Sequence, residues 1–157
     1  MNRQDKVKIR KFRIDDLVKL KNLIDATVDL CYSDIYCAEA IEFFKDWHKS
    51  EKIIQDAHEG LTIVLEIDNN IIGTGTILGN EIVRVFVNPE FQKQGFGKLI
   101  MDKLEEKALS ETVSTIQLDA SIPSKKFYDR LGYVTLEKTF LKVKNNKRLD
   151  YYKMQKY

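Results

Sequence analysis

An apolar run, Ile82 to Val87, stops at Asn88-Pro89 and gives way to the loop Gln92-Lys93-Gln94-Gly95-Phe96-Gly97; from Lys98 to Leu109 the chain is amphipathic. Strand, glycine-bearing loop and helix in this order leave backbone N–H groups free at the positive end of a helix dipole, where a pyrophosphate is stabilised. Glycine matters there because a side chain would hold the ligand away from the backbone. Two familiar phosphate patterns do not fit. The third glycine of G-x-G-x-x-G is replaced by Ile100, and G-x-x-x-x-G-K-[ST] fails because position 92 is Gln and Leu99 follows Lys98. On the loop alone, a phosphate seat and a plain strand-to-helix turn are both open.

A second stretch, Leu118 to Tyr133, carries related information. Ile116 to Leu118 reads as a short strand, Ser121 or Ser124 can cap a helix with Pro123 in its first turn, and Gly132 can end it. Phe127-Tyr128 is followed four residues later by Gly132-Tyr133. Gln92-x-x-Gly95-x-Gly97 after a strand ending Val87-x-Pro89 resembles the acetyl-CoA pyrophosphate loop of the GNAT N-acetyltransferase superfamily. Phe127-Tyr128-x-x-x-Gly132-Tyr133 resembles a later motif of the same superfamily, in the same order. The resemblance is carried by Leu61 to Leu136, with the rest matching in architecture only.

The resemblance implies an acetyl-CoA-dependent transfer to an amine. It places the pyrophosphate on the backbone N–H groups of Gln92, Lys93, Gln94, Gly95, Phe96, Gly97 and Lys98. It pairs the pantetheine arm with the backbone of Val85, Phe86 and Val87, with an N–H near Val87 polarising the thioester carbonyl. Ser121 stands where many members have an Asn that bonds the cofactor arm; capping a helix is the other reading of that hydroxyl. Tyr128 is the expected general acid for the departing thiolate, with Phe127 beside it as an anchoring aromatic. Glu81 is the expected base, by likeness of Glu81-Ile82-Val83 to the histone-acetyltransferase branch. Period-two geometry sets Glu81, Val83, Val85 and Val87 on one strand face, and a carboxylate in an apolar cleft has a raised pKa. An exposed residue at a strand start is the competing reading of Glu81, and a water chain to solvent is the alternative base. The branch that uses the next strand is closed, because that position holds Ile116.

The acceptor, a small-molecule primary amine on this reading, is expected against the first two helices and the late strands. From Asp25 to Asp46 there are six Asp or Glu and one Lys, an acidic rim suited to a cationic amine or simply a solvated helix face. Tyr32, Tyr36 and Trp47 are candidate acceptor-contact aromatics, with core packing the stronger expectation for Trp47. From Lys138 to Tyr157 there are seven Lys or Arg and one Asp, suiting the 3′-phosphate of CoA, an acidic partner or solvent. A protein or peptide acetyltransferase, and a non-catalytic acyl-CoA-binding module, are the competing functions. Cys31 and Cys37 have no paired His, which sets aside a covalent acetyl-cysteine route.

These residues must be positioned by a mixed α/β chain. Lys6 to Arg13 alternates as a strand. Asp15 or Asp16 can cap a helix through Leu17, Leu20, Leu23, Ile24 and Val28. A second helical stretch spans Cys37 to Ala57, weakest at Lys49-Ser50, with Ala40, Ile41, Phe44, Trp47, Ile53 and Ile54 inward. Leu61 to Ile67, Ile71 to Leu78 and Glu81 to Val87 form a meander turning at Asp68-Asn69-Asn70 and Gly79-Asn80. Two terminal strands, Val134 to Val143 and Arg148 to Met154, turn at Lys144 to Lys147. With the resemblance, this order becomes the GNAT fold: a twisted, mostly antiparallel mixed sheet of about six to seven strands flanked by about four helices.

The 157 residues suffice for one domain with a real core, taken as residues 1–157. A net charge of +2 gives no bulk nucleic-acid signal. The two cysteines suggest neither a disulfide framework nor a zinc site, and His48 and His58 lack a ligand cluster, so no metal is expected. Met1 to Arg10 lacks the apolar core of a signal peptide and no run reaches membrane-spanning length, so a cytoplasmic setting is the default. Terminal strands in this superfamily often mediate dimers, which makes a homodimer an expectation.

Overall fold

A computed structural model describes residues 6–157. Seven strands form one sheet: β1 (Lys8–Lys11), β2 (Leu61–Ile67), β3 (Asn70–Leu78), β4 (Glu81–Val87), β5 (Ile116–Ser121), β6 (Val134–Lys142) and β7 (Arg148–Lys156), in the spatial order β1-β2-β3-β4-β5-β7-β6. Only β4 and β5 run parallel. Five helices accompany them: α1 (Leu17–Tyr32), α2 (Ala38–Trp47), α3 (Ser50–Glu59), α4 (Phe96–Ser110) and α5 (Lys125–Arg130). The mixed, mostly antiparallel sheet expected from the sequence is therefore present, with one more helix than expected.

Local chemistry explains the turns. Asp68 and Asn69, at φ 51° and 66°, supply the two left-handed residues of a tight hairpin between β2 and β3. Asn145 and Asn146, at φ 60° and 58°, turn β6 into β7. The long second helix divides where its weakest point was expected. His48 turns inward and is buried, Lys49 is extended, and the N–H groups of Lys52 and Ile53 reach back to the Lys49 carbonyl to start α3.

Two apolar clusters cover the two faces of the sheet. α4 lays Phe96, Ile100, Met101 and Leu104 against Ile63, Leu65, Ile72, Ile77 and Ile82. On the other face α1 and α3 bury Leu20, Leu23, Ile24, Val28 and Ile53 against Val64 and Phe86. The 3.6-residue spacing on the helices and the alternation on β2 produce these faces directly.

Three expectations are corrected. Trp47 is 54% exposed, stacked on Phe43 at the end of α2, so it is not a core residue. Asp16 stands before α1 but makes no side-chain cap. Its carboxylate accepts from Arg10 Nη1 and Nη2 at 2.8 and 2.9 Å and from the Arg13 N–H at 2.8 Å, tying β1 to the helix entrance. The third correction is in β4. Phe86 pairs with Thr74 and Val87 with Gly73, but Val83 pairs with Thr76, so two β4 residues, Arg84 and Val85, oppose Gly75. This is a β-bulge, with Arg84 at φ +56°. Residues paired across an antiparallel ladder share a face. Glu81, Val83 and Phe86 therefore face α1–α3, while Val85 and Val87 pack on the α4 side. Strict alternation across Glu81 to Val87 does not hold.

Candidate active site

β4 and β5 pair only at Glu81–Gln117 and Ile82–Leu118. Past Ile82 the β4 edge that faces β5 has no strand partner, so the β5-facing backbone groups of Val83 to Val87 are not used by the sheet and border the cleft between the two strands. The bulge begins two residues into this edge.

At the mouth of the cleft, the loop after β4 is built by side-chain bonds. Asn88 Oδ1 accepts the Glu90 N–H at 2.9 Å. Gln92 Nε2 donates to the Val87 carbonyl at 2.9 Å and lies 3.7 Å from Cys31 Sγ. Gln92 thus folds the loop back on the end of β4. Lys93 and Gly95 adopt φ 61° and 89°. Gly95 is the residue before α4, and the first bond of the helix runs from the Leu99 N–H to the Gly95 carbonyl at 3.1 Å. The N–H groups of Phe96, Gly97 and Lys98 consequently lie in the first turn, at the positive end of the helix dipole. Gly97 permits a close approach: a Cβ there would lie 2.9 Å from Cε1 and Cζ of Phe127. The two sequence motifs, about thirty residues apart in the chain, are therefore in contact.

Tyr128 follows Phe127 and is buried, its ring edge-on to Phe127 and to Tyr133. Burial pushes its hydroxyl above the ordinary tyrosine range, and the neighbouring Tyr32 hydroxyl adds to the shift. The Tyr128 hydroxyl is thus protonated at neutral pH. Tyr32, from the end of α1, receives a hydrogen bond from Ser121 Oγ at 3.1 Å, and Ser121 Oγ lies 2.6 Å from Ser124 Oγ. Neither serine caps the following helix. Ser121 belongs instead to a hydroxyl cluster with Ser124 and Tyr32. Tyr36 is a latch: its hydroxyl accepts the Ile122 N–H at 2.8 Å and donates to the Asp150 carbonyl at 2.7 Å, joining α1–α2 to β5 and β7.

Glu81 stands where β4 and β5 pair, at the end of the cleft on the α1–α3 face, and is exposed there, as the competing reading of a residue at a strand start expects. Burial, then Asp119 and Asp56, push its carboxyl above the usual range, with Lys52 opposing. It is separated by the bulge from the face of Val85 and Val87. Half of the acidic rim is ion-paired: Asp25 with Lys21 at 2.8 Å, Asp29 with Lys45 at 2.7 Å and Glu42 with Lys144 at 2.8 Å.

Behind the bulge is a group that periodicity did not reveal. Arg84 donates from Nη2 to Asp56 Oδ2 at 2.7 Å and from Nε to His48 Nδ1 at 3.1 Å, all within the protein. The signal in the sequence was a lone arginine inside an apolar strand. No group of His, Cys, Asp and Glu among the described residues could hold a metal ion, and no helix of the described residues is long and apolar enough to cross a membrane.

The acetyltransferase (GNAT) domain model matches residues 32–156. A curated relative, an uncharacterized N-acetyltransferase ycf52 from Gracilaria tenuistipitata var. liui, is 37% identical over 51 residues, 32% of this chain and 28% of that protein. The chain thus spans less than a third of the length of the curated relative it matches. A GCN5-related N-acetyltransferase from Rhodopseudomonas palustris, described also as a class-II aminotransferase, superposes with a TM-score of 0.86 at 20% identity, covering 95% of this chain and 94% of that one. PaiA N-acetyltransferase from Thermoplasma acidophilum, solved with coenzyme A, gives 0.76 at 21% identity over 96% and 98%. These structures share the fold, and with the family match running from the end of α1 to the end of β7, the chain belongs to the acetyltransferase (GNAT) family.

Proposed function

We propose that this protein is an acetyl-CoA-dependent N-acetyltransferase that acetylates a small primary amine by direct transfer in a ternary complex. The observation that carries the reading is the unpaired β4 edge running into the Gly95–Lys98 helix start, with buried Tyr128 beside it. The coenzyme A complex of PaiA supports it by fold likeness. Val85, Phe86 and Val87 offer backbone groups to an extended pantetheine arm. The loop from Gln92 to Lys98 offers N–H groups to the pyrophosphate.

Acetyl-CoA supplies the acetyl group as a thioester. The chain's own groups do the rest. A backbone N–H of β4 near Val87 faces the oxygen that gains charge as the amine nitrogen bonds the carbonyl carbon. Glu81, whose carboxyl is held above its ordinary range, takes the ammonium proton directly or through water from the face that carries α1–α3. As the carbon–sulfur bond breaks, Tyr128 gives its proton to the sulfur. The Tyr32 hydroxyl, itself bonded to Ser121, is the ionisable neighbour that the resulting tyrosinate feels.

Calorimetric titration tests the binding half, with desulfo-CoA and ATP as comparisons. One-to-one binding of acetyl-CoA and none of ATP is expected; no binding by folded protein ends the reading. Tyr128→Phe tests the chemical half. General-acid catalysis contributes about 10²–10⁴-fold, so kcat should fall by about that much with acetyl-CoA affinity unchanged. A variant that turns over like the parent removes Tyr128 from the mechanism. Binding without turnover of any amine or peptide identifies a non-catalytic acyl-CoA-binding module.

A further inference from the structure

Two cavities of similar size flank the α1–α2 region, and their charges differ. One, of about 450 Å³, mixes lysines with Glu39, Glu42 and Asp46. The other, of about 440 Å³, holds Lys138, Lys147 and Arg148 against a single carboxylate, Asp150. We infer that this second cavity is the acceptor site and that the acceptor amine carries an anionic group, a carboxylate or phosphate, held by Lys138, Lys147 and Arg148.

The inference rests on the acetyltransferase reading and adds the acceptor's charge. Position comes first. Tyr36 and Ile122 line the cavity, and the Ile122 N–H is bonded to the Tyr36 hydroxyl. Ile122 follows Ser121, whose hydroxyl is bonded to Tyr32 beside Tyr128. The cavity therefore lies one residue along the chain from the Ser121–Tyr32 hydroxyl pair, on the side of α1–α2. Its volume is in the range of small-molecule sites, about 300–1,000 Å³.

Charge comes second. The one carboxylate is already engaged, with Asp150 Oδ1 3.2 Å from Arg148 Nη2. Lys138 and Lys147 have no carboxylate within ion-pair distance among the described residues. The Arg148 guanidinium is held over the Phe140 ring at 3.7 Å, and a stacked, planar guanidinium is pre-set for bidentate recognition of an oxyanion. A diamine would meet three like charges here. An amine with an anionic tail gains attraction at the tail, while the cationic wall favours the neutral, nucleophilic form of its amine.

The test compares thiol release from acetyl-CoA with 3-aminopropanoate, 2-aminoethyl phosphate, 3-aminopropanamide and 1,3-diaminopropane. Expected is a kcat/KM at least tenfold higher for the acid or the phosphate than for the amide and the diamine; the order of the first two names the anion. Lys138→Glu and Lys147→Glu should each raise KM for the preferred amine about tenfold or more, leaving KM for acetyl-CoA unchanged. Equal or better use of the diamine, or unaltered KM in both variants, overturns the inference. A second readout needs no turnover: amide NMR of the protein, with and without coenzyme A, titrated with 3-acetamidopropanoate, 2-acetamidoethyl phosphate and 3-acetamidopropanamide. Saturable shifts at Ile122, Arg148 and Asp150 with either anion and not with the amide support it; no shift with either, or equal shifts with all three, overturns it. If acetyl-CoA itself fails to bind, the acetyltransferase reading falls, and the titration of free protein still decides whether the cavity is an anion site.

Discussion

Arg84 Nη2 donates to Asp56 Oδ2 at 2.7 Å, with both side chains 1% exposed, so a β4 bulge is clamped to α3 by a charge pair inside the protein. The second Asp56 oxygen has only the Lys52 ammonium, 3.4 Å away and not aligned for a hydrogen bond. Arg84 Nη1 is buried without a partner. Removing one member leaves the other as an uncompensated buried charge, at a cost of about 3–5 kcal/mol. Asp56→Ala is therefore expected to lower the unfolding free energy by about that amount in urea titration. Replacing both residues by apolar ones of similar size should recover most of it. A loss below about 1 kcal/mol in Asp56→Ala would mean the pair is not buried in solution.

His48 gives the same cluster a pH dependence. Its Nδ1 accepts the Arg84 Nε–H, so the neutral ring is the form that fits. Burial first, then the charges of Arg84 and Lys21, push its pKa down to about 3. The unfolded chain, near 6.5, binds the proton first as pH falls. The contribution of His48 to stability is thus intact above pH 6.5 and declines down to about pH 3, at about 1.4 kcal/mol per pH unit in the steep part. Asp16, held low mainly by Arg10, is lost only at lower pH, below its ordinary 3.8. Glu81 and Asp119, both held high by burial, act in the opposite sense as they protonate. The difference between the parent and His48→Gln isolates the histidine. Parallel urea midpoints from pH 7 to 4 would show that His48 is accessible to protons in the native state.

What the sequence disclosed and what it hid divide along physical lines. The Gln92–Lys98 loop, the Phe127-Tyr128 segment and the hairpin turns are local patterns, and local patterns need only neighbouring residues to be read. The bulge at Arg84–Val85 depends on which β3 residue each β4 residue opposes, a non-local register that period two cannot foresee. It moved Glu81 to the other face from Val85 and Val87. Arg84, His48 and Asp56 come from three elements, so nothing in their spacing announced them; only the oddity of an arginine in Val83–Val87 did. Trp47 fell on the apolar stripe of α2 but beyond the reach of the sheet, where helix periodicity alone cannot distinguish covered from uncovered. Tyr32, at the end of α1, meets Ser121 across 89 residues of sequence.

Tyr36 tests how the proposed acceptor side is held. Tyr36→Phe keeps the ring and its packing against Phe44, but leaves the Ile122 N–H and the Asp150 carbonyl without their partner. Each buried unsatisfied group costs about 1–3 kcal/mol, and water entering the cavity at Ile122 recovers part of that. A loss of about 1–3 kcal/mol in stability is expected, with KM for the amine raised several-fold and KM for acetyl-CoA unaltered. Steady-state kinetics with each substrate varied in turn separates these. A change confined to the acetyl-CoA side would detach Tyr36 from acceptor binding.

Gly97 joins the Gln92–Lys98 loop to α5. A methyl group at this position meets the Phe127 ring at 2.9 Å, nearer than side-chain carbons pack, so Gly97→Ala must push Phe127 aside. Tyr128 is the next residue, and the α4 start, the proposed pyrophosphate seat, moves with it. Overpacking of this kind costs about 1–3 kcal/mol. Acetyl-CoA affinity is expected to fall about tenfold or more in calorimetry, alongside that loss in thermal or urea unfolding. Trimming the ring in Gly97→Ala/Phe127→Leu relieves the contact, and affinity should return toward the parent, because the loop backbone itself is unchanged. Recovery of stability without recovery of affinity would show that the Gly97 Cα hydrogens face the ligand as well as Phe127. Parent-like affinity in the single variant would mean the pyrophosphate is bound elsewhere.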